Sequence, residues 1–129
     1  MKSLVTGGAG FIGSNLVDAL LDMDHEVVVI DNEYSDAHDH LYWNDDADNY
    51  KYDIRDYENT RPLYDGVDYV FHLAAEARIQ PAILNPIGAI SINSVGTCTV
   101  LQCAREAKVK KLMYSSTSAA YGMNSQPNV

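Results

Sequence analysis

The segment Thr6-Gly7-Gly8-Ala9-Gly10-Phe11-Ile12-Gly13 constrains this chain more than any other. It contains Gly8-x-Gly10-x-x-Gly13 and the wider Gly7-x-x-Gly10-x-x-Gly13. A glycine triplet alone says little. Here it follows a short apolar run at 2–5 and opens a stretch, 11–22, in which Ile12, Leu16, Ala19, Leu20 and Met23 recur at helical spacing. Strand, glycine turn and helix form the setting in which such a motif holds a phosphate. Glycine lets the chain turn tightly and lets the backbone approach a pyrophosphate. The amides and dipole at the helix N-terminus then bind the anion without a cationic side chain. The last glycine lets helix and strand pack closely.

Asp31 lies 18 residues after Gly13, at the end of the β-branched run Val27-Val28-Val29-Ile30. An acidic residue about 20 positions on bonds the ribose hydroxyls of a dinucleotide. A carboxylate there repels a 2′-phosphate, so the pattern favours NAD over NADP.

The rest of the chain alternates strand and helix. Tyr50–Ile54 reads as a short strand, Tyr57–Tyr64 as a short helix limited by Pro62, Asp68–Leu73 as a buried strand and Lys110–Ser115 as a last strand. Residues 32–49 read as a long polar loop, with a helical turn near His40–Trp43, and 74–84 as a loop punctuated by Pro81. A long helix is expected from Pro86 to Lys108, with Ile90, Val95, Cys98, Leu101 and Ala104 along its inner side. Crossovers between such strands are right-handed and parallel. The expected fold is therefore α/β, a Rossmann-type doubly wound parallel sheet of order 3-2-1-4-5, with ligands bound at the carboxyl ends of the strands. Residues 1–129 read as a single NAD-binding domain, with 122–129 a weakly ordered tail.

Charge and cysteine content exclude several classes. Nine basic residues against 18 acidic ones give a net charge of −9, a poor basis for binding nucleic acid or anionic membrane. No stretch reads as a run of the roughly 20 apolar residues that span a bilayer, and the N-terminus lacks a secretory h-region. Cys98 and Cys103, close together in a helical segment, fit a reducing, cytoplasmic setting as small core residues. The cluster Asp36-Ala37-His38-Asp39-His40 reads as solvated loop and no metal site is expected. His72 reads as a packing histidine.

Four segments resemble the extended short-chain dehydrogenases/reductases, and in particular the NAD-dependent sugar-nucleotide epimerase/dehydratase family, UDP-glucose 4-epimerase-like. They are TGGAGFIGSNLVDAL at 6–20, the Asp31-Asn32 pair, FHLAAEARI at 71–79 with NSVGT at 93–97, and MYSSTSAAYG at 113–122. The resemblance implies that Gly7, Gly10, Phe11, Ile12 and Gly13 face the pyrophosphate. It implies that Asp31 and Asn32 hold the adenosine ribose and that Asp53 and Ile54 flank the adenine. Leu73, Ala74 and Ala75 would line the cofactor near the nicotinamide ribose, Asn93 would support the site, and Ser115 and Ser116 would end the fifth strand beside the nicotinamide. Thr117 matches the active-site Ser/Thr that bonds the sugar oxygen, and Tyr121 a motif tyrosine that is not the base. Glu76 stands where an amide or basic residue is often found.

The family's base is a tyrosine in a Tyr-x-x-x-Lys helix, and no tyrosine here has a lysine four residues later. The resemblance therefore covers an N-terminal half, ending before the substrate domain. Two expectations follow: an epimerase/dehydratase cofactor domain inactive alone, or a non-catalytic nucleotide-binding module acting through assembly. A nucleotide-sugar substrate is expected only with a complementing domain. A homodimer is expected through the long helix, with pairing of the last strand's edge as the rival.

Overall fold

The computed structural model describes residues 1–35 and 40–122. The elements are β1 (Lys2–Thr6), α1 (Phe11–Asp22), β2 (Glu26–Ile30), β3 (Asp48–Tyr50), α2 (Tyr57–Thr60), β4 (Tyr69–His72), α3 (Ile79–Leu84), α4 (Pro86–Ile90), α5 (Thr97–Glu106) and β5 (Lys111–Tyr114). All strand pairs are parallel, and the sheet order is β3-β2-β1-β4-β5, as the sequence predicts.

Alternation along the central strands builds two cores. Leu4, Val28, Ile30 and Val70 join Ile54, Tyr64, Val100 and Cys103 on one face. Val5, Val27 and Val29 meet Val17 and Leu20 of α1 on the other. Both faces are thus covered, which is why β2 reads as an unbroken apolar run. Each fully buried side chain of this size contributes about 1.5–3 kcal/mol. α1 stops where Asp24 takes a left-handed φ of 58°, a conformation aspartate tolerates, and the amide of His25 returns to the Leu20 carbonyl.

The structure departs from the sequence reading in several places. β3 is only Asp48–Tyr50, so Asp53 and Ile54 lie in the loop beyond it rather than in a strand. Residues 40–43 form no helical turn. α2 gives way to a 3-10 turn at Arg61–Tyr64, with Pro62 at its second position. The expected loop at 74–84 contains α3, and Pro81 sits in its first turn, where a missing N–H breaks no helical bond.

The long helix is composite. A π-helical stretch, Ser91–Gly96, separates α4 from α5 and shifts the face that meets the sheet. Ala89, Ile92, Val100, Cys103 and Ala104 are buried, whereas Ile90, Val95, Leu101 and Cys98 are exposed. The inner side is therefore small: a Cβ on Gly96 would stand 2.5 Å from Cδ1 of Ile54. By length and composition the 21-residue run Pro86–Glu106, which contains an 18-residue window with a mean hydropathy of 1.3, is long and apolar enough to cross a membrane, contrary to the sequence reading. Its buried face packs on the sheet, as a core helix of a doubly wound fold does. Most of the weakly ordered tail expected at 122–129, and Asp36–Asp39 of the acidic cluster, fall outside the described residues.

Candidate functional site

The glycine turn joins β1 to α1 at the centre of the sheet. Gly7 has φ +72°, and its amide donates to the Ile30 carbonyl at 2.8 Å. A Cβ on Gly13 would lie 2.1 Å from the Gly7 oxygen and 2.7 Å from the Gly8 Cα. These glycines are demanded by the fold itself. Gly10 differs. Its φ of −78° suits any residue, and an added Cβ would meet only the Gly7 oxygen, at 3.5 Å. No side chain caps α1, and Phe11 and Ile12 at its start are exposed. The open space at Gly10, the uncapped amides and the apolar side chains beside them fit an elongated anion with apolar flanks, such as a dinucleotide.

Asp31 ends β2 beside this turn. Its Oδ2 accepts from the Ala9 amide at 3.1 Å and its Oδ1 from the Glu33 amide at 2.8 Å. Each oxygen retains a lone pair for a further donor. Asn32 donates through Nδ2 to Oδ2 of Asp53 at 3.1 Å. Arg55 clamps Asp53 with Nε at 2.8 Å and Nη2 at 2.6 Å, and its Nη1 reaches Oγ of Ser91. The guanidinium holds the Asp53 carboxyl below the usual carboxylate range and Asp53 raises Arg55 in turn. Nearby, Glu33 accepts from Nε1 of Trp43 at 2.9 Å and pairs with Lys51, tying the 40–43 segment to the strand ends.

At the end of β4, His72 is 1% exposed and bonded at both nitrogens. The Thr97 hydroxyl gives its single proton to the Asn93 carbonyl at 2.7 Å, so His72 Nε2–H donates to Thr97 Oγ1 at 2.9 Å. Nδ1 then accepts from the Thr6 hydroxyl at 2.7 Å, and Thr6 Oγ1 accepts from the amides of Leu73 and Ala74. This chain ties β1, the loop after β4 and the helix together around a neutral imidazole. Burial pushes the His72 pKa down to about 4. Asn93, on the π-helical stretch, grips the same loop: its Oδ1 accepts from the Glu76 amide at 2.8 Å and its Nδ2 donates to the Glu76 carbonyl at 2.9 Å.

Beyond β5, the Ser115 amide donates to the His72 carbonyl at 3.1 Å. Thr117 Oγ1 accepts from the Ala119 amide at 3.1 Å and caps the 3-10 turn Ser118–Tyr121. The cap fixes the rotamer and leaves the hydroxyl proton for another acceptor. One cleft of about 870 Å³ opens across the carboxyl ends of the strands. Gly7, Gly10, Phe11, Ile12, Gly13, Asp31, Asn32, Asp53, Ile54, Leu73, Ala74, Ala75, Asn93, Ser115, Ser116 and Thr117 all line it. So do Tyr34, Tyr52, Tyr114 and Arg78, which the sequence reading did not single out. No spacing rule marks these four, because folding alone brings their loops to the strand ends. Among the described residues no three side chains gather to hold a metal ion.

The profile of the NAD dependent epimerase/dehydratase family matches residues 3–129. The chain belongs to that family. It is 38% identical to a solved UDP-glucose 4-epimerase of Thermotoga maritima, with a TM-score of 0.88 over 98% of this chain and 41% of that one. It is 32% identical to a UDP-glucose 4-epimerase of Thermus thermophilus solved as a complex with NAD, with a TM-score of 0.77, covering 87% of this chain and 36% of that one. UDP-glucuronic acid decarboxylase 6 of Arabidopsis thaliana is 38% identical over 124 residues, which are 95% of this chain and 35% of that protein. The chain thus spans about two fifths or less of the length of these three relatives.

Proposed function

We propose that residues 1–129 form the NAD-binding domain of a sugar-nucleotide epimerase or dehydratase. The carrying observation is the cleft wall at Gly10, where the fold leaves room that it does not itself need, beside uncapped helix amides and the Asp31 carboxylate. The NAD complex of the Thermus relative supports the same reading. When bound, NAD supplies a hydride acceptor. In this reading the amides at the start of α1 bind the pyrophosphate, and Gly7 and Gly13 let helix and turn close on it. Asp31 and Asn32 hold the adenosine ribose, and Asp53 and Ile54 border the adenine. Leu73, Ala74 and Ala75 exclude water along the far half of the cleft, supported by Asn93, while Ser115 and Ser116 border the nicotinamide end. Thr117 orients a sugar hydroxyl through its remaining proton.

The chain alone is proposed to be inactive, because no tyrosine among its 129 residues has a lysine four positions later to serve as a tuned base. A complementing domain would supply that base and the nucleotide-sugar contacts. A second reading, a nucleotide-binding module that acts through assembly, is favoured by Ile83, Leu84, Ile87 and Ile90, all well exposed, which offer an apolar face for a two-fold homodimer. The unpaired Cys98 and Cys103 suit a reducing, cytoplasmic setting. Calorimetry with NAD and ADP-ribose tests the cofactor reading, and mixing the chain with UDP-glucose and NAD tests inactivity. Reduction of NAD by the pure chain would contradict it.

A further inference from the structure

Glu76 is the least expected residue of the cleft wall. Its side chain is only 4% exposed, in a protein of net charge −9 and in a cleft that already holds Asp31 and Asp53. A carboxylate buried so deeply persists only with a charged or hydrogen-bonding partner. Arg78 provides both: its amide donates to Glu76 Oε1 at 3.1 Å and its Nε lies 3.5 Å from the same oxygen. Asn93 fixes the Glu76 peptide from both sides, so the pair is built on a held backbone. The Arg78 side chain keeps 36% of its surface exposed and borders the cleft. Among the described residues that line this cleft, it carries the only cationic side chain.

We infer that Arg78, oriented by Glu76, binds a phosphate oxygen of the ligand, beyond the α1 amides. Glu76 is a positioning residue that holds one edge of the guanidinium. The phosphate belongs either to the dinucleotide or to a second nucleoside diphosphate entering from the β5 side. The inference rests on the cofactor reading above and deepens it.

The test is calorimetry on the full chain with ADP-ribose and with UDP, at low and raised ionic strength. The variants are Arg78→Gln, Arg78→Lys and the double variant Glu76→Gln with Arg78→Gln. Arg78→Gln is expected to weaken one of the two nucleotides roughly tenfold or more, the loss of a charge-assisted hydrogen bond, and to flatten its salt dependence. Loss with ADP-ribose assigns the contact to the dinucleotide, and loss with UDP assigns it to a second diphosphate. Arg78→Lys should keep the salt dependence and recover part of the affinity. The double variant removes the buried charge together with its partner. It should regain any lost thermal stability yet remain weak for the same nucleotide. Restored affinity in the double variant, or an unchanged salt slope in Arg78→Gln, overturns the assignment and leaves the NAD reading intact. Failure of the unmutated chain to bind ADP-ribose overturns both.

Discussion

Along β1 and β2, residues from Ser3 to Thr6 and from Val27 to Ile30 are buried, and the Asp31 carboxylate, the Thr6 and Thr97 hydroxyls and the His72 ring beside them are bonded within the chain. At β5 the picture reverses. Lys111 and Tyr114 are exposed, Leu112 and Met113 half-buried, and Leu84 and Ile87 stand more than four-fifths exposed on the helices before it. The first region sets its own geometry by internal packing and hydrogen bonding. In the second, the described residues leave the outer strand and apolar helix side chains exposed, so its surface contributes little to the packing of the sheet. Changes in the first region should therefore alter both stability and ligand binding, and changes in the second should alter neither for an isolated copy.

The largest break is expected from Gly13→Val. The added atoms collide with the Gly7 oxygen and Gly8 Cα, backbone that cannot yield cheaply. Stability should fall by roughly 3 kcal/mol or more and binding of NAD should vanish, read by thermal melting and calorimetry. Gly10→Ala sharpens the contrast: it should melt within a few degrees of the unmutated chain while binding NAD poorly, because its Cβ meets only one backbone oxygen at ordinary contact distance.

An effect of similar size is expected from acid. His72 is neutral in the fold, with a pKa of about 4 against 6.5 for a free imidazole. The unfolded chain therefore binds more protons between these values. Stability is fully present above about pH 6.5 and is lost as pH falls towards 4, by on the order of 3 kcal/mol. His72→Gln should flatten the pH dependence of urea unfolding between pH 4.5 and 6.5, a window above the range where the lowered Asp53 carboxyl titrates.

How much of this is legible in the sequence depends on the kind of signal. The glycine turn, Asp31 and the strand order rest on local spacing and on a topological rule, and the chain displays both. Asp53 and Ile54 read as strand although pairing ends at Tyr50, because the apolar pattern does not show where pairing stops. The π-helical stretch leaves no trace in the pattern: a 3.6-residue period predicts Val95 and Leu101 inward, and the extra residue in the turn moves Ile92, Gly96 and Val100 there instead. Arg78 and Glu76 carry no period at all. Their pairing follows from the Asn93 grip on a loop, a contact 17 residues apart in sequence.

Asp31→Ala should cost about 2 kcal/mol of stability, since it leaves the Ala9 and Glu33 amides without their shared acceptor, and should weaken NAD about tenfold or more. The smallest effect is expected on the other side. Ile87→Glu, at a site 82% exposed, should move stability by less than about 0.5 kcal/mol and leave NAD affinity unchanged. It should shift sedimentation from dimer to monomer. An unmutated chain that already sediments as a clean monomer at micromolar concentration would contradict the dimer.

The most direct measurement is a calorimetric titration of the chain with NAD and with NADP under identical salt and pH. The account predicts that NAD binds and that NADP binds at least about tenfold more weakly, because its 2′-phosphate meets the Asp31 carboxylate. It also predicts that Asp31→Asn narrows the gap between the two. Equal affinities in the unmutated chain, or no heat from either nucleotide, would contradict it.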